Sequence, residues 1–307
     1  MKKLFAIILT VLFTGHSFAQ IKSLDPIPLD KAWKDKIYQL APEKTQAPIS
    51  KKHRVLVFSL FTGFEHWDIP HIDYVVKTLG DKTGAYEVVR STDVKMFEKN
   101  TLRKYDAVVL SNNCSIGPRR DLFFDALDGN KEMTDKEKEK KAQQLESNLL
   151  NYIKNGGGLF VAHGAIVMQN NSEEFSEMTG GSFDYHPPQQ QIELKMVEND
   201  HPLTEAFEGK SFTHIDEPYF FKNAYSKKNF RPMLYMEISK IQKLRHEPED
   251  DISYVSWIKG YGKGRVFYCS PSHNAQSYEN SRMLKYYLNG MQYVLGDLKC
   301  DDSPINQ

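Results

Sequence analysis

The stretch Gly156–Met168, GGGLFVAHGAIVM, decides how the chain folds. Its glycines stop a helix, the apolar run after them has the length of a buried strand, and the strand halts at Ala162-His163-Gly164. A strand that ends in a small-X-small tripeptide and turns into a helix is how several α/β enzymes present a nucleophile, with Ser or Cys in the middle. Here the middle residue is His163. A neutral imidazole is a weak acyl acceptor in water but a good metal ligand or general base near neutral pH.

Outward from this elbow the same grammar repeats. RVLVFSLF, from Arg54, is an unbroken apolar strand, IPHIDYVVKTLG repeats apolar residues at helical spacing, and YEVVRSTD and YDAVVLSNN are two further strands. A charged segment, Asp125 to Leu150, ends in a helix capped at Gly156, and its KEKEKK run reads as a solvated helix face. Strands alternating with helices predict a doubly wound parallel sheet whose ligands bind at the carboxyl ends of the strands. After His186 the segments QQQIELKMVEND, HIDEPYFFKN, FRPMLYMEI, ISYVSWIKGYG and GRVFYCSPS add short strands in the C-terminal half, and a last helix is expected from about Tyr278 to Leu295. Gly262-Lys263-Gly264-Arg265 lacks the length and the following Ser or Thr of a phosphate loop and reads as a hairpin turn.

The 307 residues carry 40 basic and 40 acidic side chains. A balanced chain has no basic footprint, which argues against nucleic acid or an anionic membrane surface as partner. Residues 1–19 read as a signal peptide: Met-Lys-Lys, then LFAIILTVLF, too short to span a bilayer, then Ser17-Phe18-Ala19 as the cleavage signal. With a cut after Ala19 the mature chain is exported, periplasmic where the cell has an outer membrane, and no later segment predicts a membrane span. Residues 20–50 read as an extended N-terminal arm and residues 51–300 as one domain. Cys114, Cys269 and Cys300 have no zinc-knuckle or redox spacing; one disulfide can be drawn, but Cys114 and Cys269 read as buried core and Cys300 as incidental.

Polar residues punctuate the ends of these strands. His66, His163, His186 and His273 follow strands or sit in turns, with the carboxylate pair Asp216-Glu217 among them. His53 and His246 read as solvated surface, His201 in DHPLT as a turn residue, and His71, after Pro70 in the first helix turn, as a structural residue with pocket lining as its alternative. Aromatic Phe64, Trp67, Phe183, Tyr185, Tyr219 and Trp257 flank the polar motifs; Trp257, inside a strand, is read as core and Trp67, beside His66, as pocket.

The ordered set TGFEHWDI, YDAVVLSN, NGGGLFVAHGA, TGGSFDYHP, NDHPLT, HIDEPYFF and YGKGRVFYCSPSH resembles the ThuA-like (trehalose-utilisation) family from about His53 to Gly296. The resemblance implies a flavodoxin-like, class I glutamine amidotransferase-like α/β fold, a doubly wound, mostly parallel sheet with extra strands in the C-terminal half. Glu65, Trp67 and Asp68 stand where the family has Arg, Asp and Ser, no Pro precedes Trp257, and Ser272 replaces a Gly; these departures leave the substrate preference open and bear less on the fold. His163 occupies the place of the amidotransferase nucleophile, so glutamine amidotransferase chemistry is not expected.

The resemblance also implies a role in disaccharide use through oxidised sugars. Imidazoles and a carboxylate gathered at one sheet edge suit zinc or a similar divalent ion. The expected metal ligands are His66, His163 and His273; the expected catalytic residues are Asp216, Glu217 and His163; Trp67, Tyr185, Tyr219 and His186 are expected to hold a small-molecule carbohydrate. Three functions stay open: acid/base chemistry on a keto-sugar or keto-glycoside, metal-dependent hydrolysis of another bond, and carbohydrate binding without turnover.

Overall fold

A computed structural model describes residues 22–305. The expected leader and its cleavage site lie outside them. No helix among the described residues is long and apolar enough to cross a membrane.

Nine strands form one sheet in the order β2-β1-β3-β4-β11-β10-β9-β6-β7. Strands β1 (His53–Phe58), β2 (Tyr86–Ser91), β3 (Ala107–Ser111), β4 (Gly158–Ala162) and β11 (Gly264–Cys269) are parallel neighbours. They form the flavodoxin-like half, with the order reversing between β1 and β3. The antiparallel half continues through β10 (Ile252–Tyr261), β9 (Arg231–Glu237), β6 (Gln190–Met196) and β7 (Phe212–Asp216). A separate pair joins β5 (Ser182–Tyr185) to β8 (Phe220–Lys222). Periodicity missed β5, only four residues long, and read HIDEPYFFKN as one segment where the structure has the end of β7 and, in the other sheet, β8. The β10–β11 hairpin turns on Gly262-Lys263, as the sequence predicts.

Side chains alternate across the parallel strands and feed two cores. On one face Val55, Val57, Val109, Phe160 and Phe267 pack with α2 (Ile69–Thr83) and α7 (Ser281–Leu295). On the other, Leu56, Phe58, Val108, Leu110, Leu159 and Val161 pack with α4 (Leu122–Asp128) and α5 (Asp135–Lys154), joined by the short α3 (Lys99–Leu102) and α6 (Glu173–Thr179). Helix α5 begins with a capping box, Thr134 and Glu137 bonding each other's backbone. It ends as expected at Gly156, whose φ of 119° lets Gly156 N–H and Gly157 N–H close back on Ile153 and Tyr152 carbonyls.

Three readings need correction. The arm is not extended throughout: α1 (Lys31–Leu40) forms because the Asp30 side chain accepts Trp33 N–H at 2.8 Å and Trp33 and Ile37, four apart, bury against the α2 side of the sheet. His53 is not solvated; it is buried with Nε2 3.0 Å from Asp297 Oδ2. Helix α7 starts at Ser281 rather than Tyr278, because Asn280 caps it and Tyr278 belongs to a preceding single 3-10 turn. All three cysteines are free, Cys114 and Cys269 buried.

Candidate metal centre at the carboxyl edge of the sheet

Five chain segments converge where β1, β3, β4, β11 and β7 end. His66 lies in the loop after β1, His163 heads the 3-10 turn after β4, His273 follows β11, and Glu217 follows β7. Each offers one ligand atom, and the four atoms lie within 4.8 Å of one another. His163 is fully buried and adopts φ of 43°, so the elbow is strained like one that presents a nucleophile.

The donor set fits a divalent cation. His163 Nδ1 is 2.6 Å from the Ser270 carbonyl, which can only accept, so Nδ1 carries a proton, and Nε2 lies 3.3 Å from Glu217 Oε2. His273 Nδ1 is buried without a hydrogen-bond partner among the described residues, 3.2 Å from the same oxygen. Those separations match the edge of a tetrahedron with zinc–ligand bonds of about 2.0–2.1 Å. A ligating histidine whose other nitrogen donates to a backbone carbonyl is the usual outer support of such a site.

Electrostatics separate the members. Burial pushes His66 well below the ordinary imidazole range, and the neighbouring His163 and His273 push the same way. Burial would also lower His273, but the Glu217 carboxylate beside it prevails and raises it. Burial would raise Glu217; His163 and His273 outweigh it and hold the carboxyl far down, so Glu217 is an anion at any physiological pH.

Asp216 and Glu217, adjacent in sequence, have different tasks. Asp216 is buried and its carboxylate accepts the N–H groups of Ser272 at 2.6 Å, His273 at 3.0 Å and Glu217 at 2.9 Å. It clamps the chain that carries two of the candidate ligands and has no face left for substrate. His214, which the sequence reading passed over, stands 3.3 Å behind it and 2.9 Å from Ser277 Oγ; its spacing of two from Asp216 on one strand face was the available signal.

The rest of the expected site divides. His186 is exposed, with Nε2 3.7 Å from Glu217 Oε1 and Nδ1 2.9 Å from the Pro187 carbonyl. Tyr219 joins it, its ring 4.2 Å from His163 and 5.7 Å from His186, backed by Phe183 at 4.7 Å. Trp67 and Tyr185 are not brought into the cluster: Trp67 packs on His71, whose other face meets Trp33, and Tyr185 stacks on Phe220 on the far side of the small sheet. Phe64 takes the place expected of Trp67. It is 62% exposed, with its ring 4.8 Å from His66 and 6.5 Å from His273. Trp257 is core, donating to the Thr179 carbonyl. His201 fixes its turn through Leu203 N–H, and His246 is exposed.

Cys114 Sγ lies 3.8 Å from His66 Nδ1 and donates to the Gly164 carbonyl at 3.4 Å. Burial pushes its thiol up to about 12, which removes it as a thiolate nucleophile near neutral pH. The amide after an elbow nucleophile normally completes an oxyanion hole. Here Gly164 N–H is taken by Asn112 Oδ1 at 2.6 Å.

A family model described as ThuA, trehalose utilisation, matches residues 54–294. No curated protein matches the chain. Among solved structures, a ThuA-like protein from Bacteroides uniformis is similar at 16% identity, with a TM-score of 0.60 over 81% of this chain and 94% of that one. One from Parabacteroides merdae is 17% identical, TM-score 0.54, covering 80% and 91%. A cytoplasmic protein from Salmonella typhimurium is 13% identical, TM-score 0.51, covering 79% and 98%. At these identities the likeness concerns the fold.

Proposed function

The chain belongs to the ThuA, trehalose-utilisation, family, and from that premise we propose that it acts on a ketone-bearing sugar or glycoside by removing the proton on the carbon next to the ketone. The observation that carries this reading is Glu217, a member of the cluster with one oxygen 3.3 Å from His163 and the other 3.7 Å from the exposed His186. His66, His163, His273 and Glu217 would hold the divalent ion. When bound, it supplies positive charge where the ketone oxygen gains negative charge.

The proton is the task of His186. With Nδ1–H donated to the Pro187 carbonyl, the lone pair is on Nε2, and the imidazolium formed by taking a proton is stabilised by Glu217 Oε1. Asp216, its oxygens filled by backbone N–H groups, positions Glu217 and His273. Phe64 on one side and Tyr219 on the other offer apolar faces to a pyranose ring. The C–H electron pair moves toward the ketone. The proton then returns from His186 to the enolate carbon, giving an isomer or epimer, or the enolate re-forms the ketone with a new C=C bond and expels a glycosidic oxygen one carbon further on, which leaves as the alcohol with the proton from His186.

The test is a 3-keto-glucoside incubated with the zinc-loaded protein in deuterated water and followed by NMR. Deuterium is expected at the carbon next to the ketone, and His186→Ala should lower the rate by about 100-fold or more. Turnover without deuterium would move the assignment to hydrolysis, and tight binding without turnover to a carbohydrate-binding protein.

A further inference from the structure

Three residues with side chains adopt left-handed backbone at the ends of adjacent strands: Asn112 (φ 51°) after β3, His163 (φ 43°) after β4 and Ser272 (φ 121°) after β11. Such conformations are costly unless the surroundings hold them. For Ser272 the hold is evident, since Asp216 takes its N–H and its hydroxyl meets Tyr287. Asparagine tolerates left-handed backbone; histidine does so less readily. What holds His163 needs an explanation.

Asn112 is fully buried, and its side-chain oxygen accepts Gly164 N–H, the amide that leaves His163. A backbone N–H can only donate, so the Asn112 carboxamide must turn its oxygen to Gly164 and its nitrogen the other way. That nitrogen is 2.8 Å from Asp68 Oδ1, itself fully buried. Asp68 sits at the N-cap of α2, where an aspartate normally accepts a helix N–H, yet its side chain makes no capping bond. It serves Asn112 instead. The fit is close: a Cβ on Gly164 would come within 2.7 Å of His66 Cε1, 2.9 Å of Asn112 Oδ1 and 3.0 Å of Cys114 Sγ.

We infer that Asn112, oriented by Asp68, is the positioning residue of the elbow: it fixes the left-handed His163 by binding Gly164 N–H and so aims the imidazole at the cluster. The effect on zinc rests on the metal reading above; the effect on the imidazole does not.

The experiment uses Asn112→Gly, which accepts left-handed backbone without strain and removes only the carboxamide, beside Asp68→Asn, which keeps an oxygen for the Asn112 amide. Nitrogen-15 NMR of the metal-free full chain reads the His163 tautomer, and zinc affinity is measured by chelator competition. In Asn112→Gly the single Nδ1–H tautomer is expected to give way to a mixture and zinc affinity to fall about 10–100-fold, while Asp68→Asn stays near the parent in both. Should Asn112→Gly fail to fold, Asn112→Asp, which keeps an acceptor for Gly164 N–H, is expected to retain the tautomer. Asn112→Gly with the parent's single tautomer overturns the assignment, whatever its affinity for zinc.

Discussion

Zinc affinity is expected to drop at least about 1,000-fold when His66, His163 and His273 are all replaced by alanine, since one carboxylate cannot hold the ion alone. The parent should show a matching pH dependence. Ligation requires neutral imidazoles, and Glu217 raises His273 above its ordinary value of about 6.5. Binding therefore releases a proton: affinity is full above the raised His273 pKa and declines as pH falls through it. His66, which burial holds neutral, adds no loss until the solution is more acidic. Competitive titration from about pH 5 to 8 measures both effects. A triple variant that binds zinc like the parent would place the site elsewhere, and an affinity flat down to about pH 5 would remove His273 from the ligands.

The second large effect concerns stability. Asp216→Ala strips the acceptor from three N–H groups, those of Glu217, Ser272 and His273. A buried donor left without a partner costs about 1–3 kcal/mol, and with partial relaxation the sum is about 4 kcal/mol. For a domain of this size that is a fall of about 10 °C in Tm. Urea unfolding gives the free energy. Asp216→Asn keeps one oxygen and should lose roughly half as much. If Asp216→Ala unfolds within about 1 kcal/mol of the parent, the clamp is not what holds the His273 segment.

The elbow and the histidines were legible because their signals are local. LFVA between glycines can only be a short buried strand, and a histidine at its end must stand at the sheet's carboxyl edge. His66 and His273 follow from the same rule applied to β1 and β11. Trp67 and Phe64 show where the rule stops. They lie three residues apart in one loop, and which ring meets the cluster depends on the docking of α1, whose Trp33 contacts His71 and draws that side of the loop into the core. Tyr185 shows where strand alternation fails: it should share a face with Phe183, which meets Tyr219, but a register shift in β5 separates the two and Tyr185 stacks on Phe220 instead. The separate roles of Asp216 and Glu217 were hidden for a third reason. They are neighbours in sequence, and only the approach of Ser272 and His273 from another strand decides which carboxylate is used up.

The central claim is that three imidazoles and one carboxylate bind one ion, and X-ray absorption at the zinc edge of the stoichiometrically loaded protein tests it most directly. The expected spectrum has a first shell of nitrogen and oxygen only, at about 2.0–2.1 Å, with the outer-ring signature of several imidazoles. A sulfur neighbour at about 2.3 Å would contradict the claim by bringing in Cys114, 3.8 Å from His66 Nδ1, and a shell of oxygens without imidazole signature would contradict it altogether.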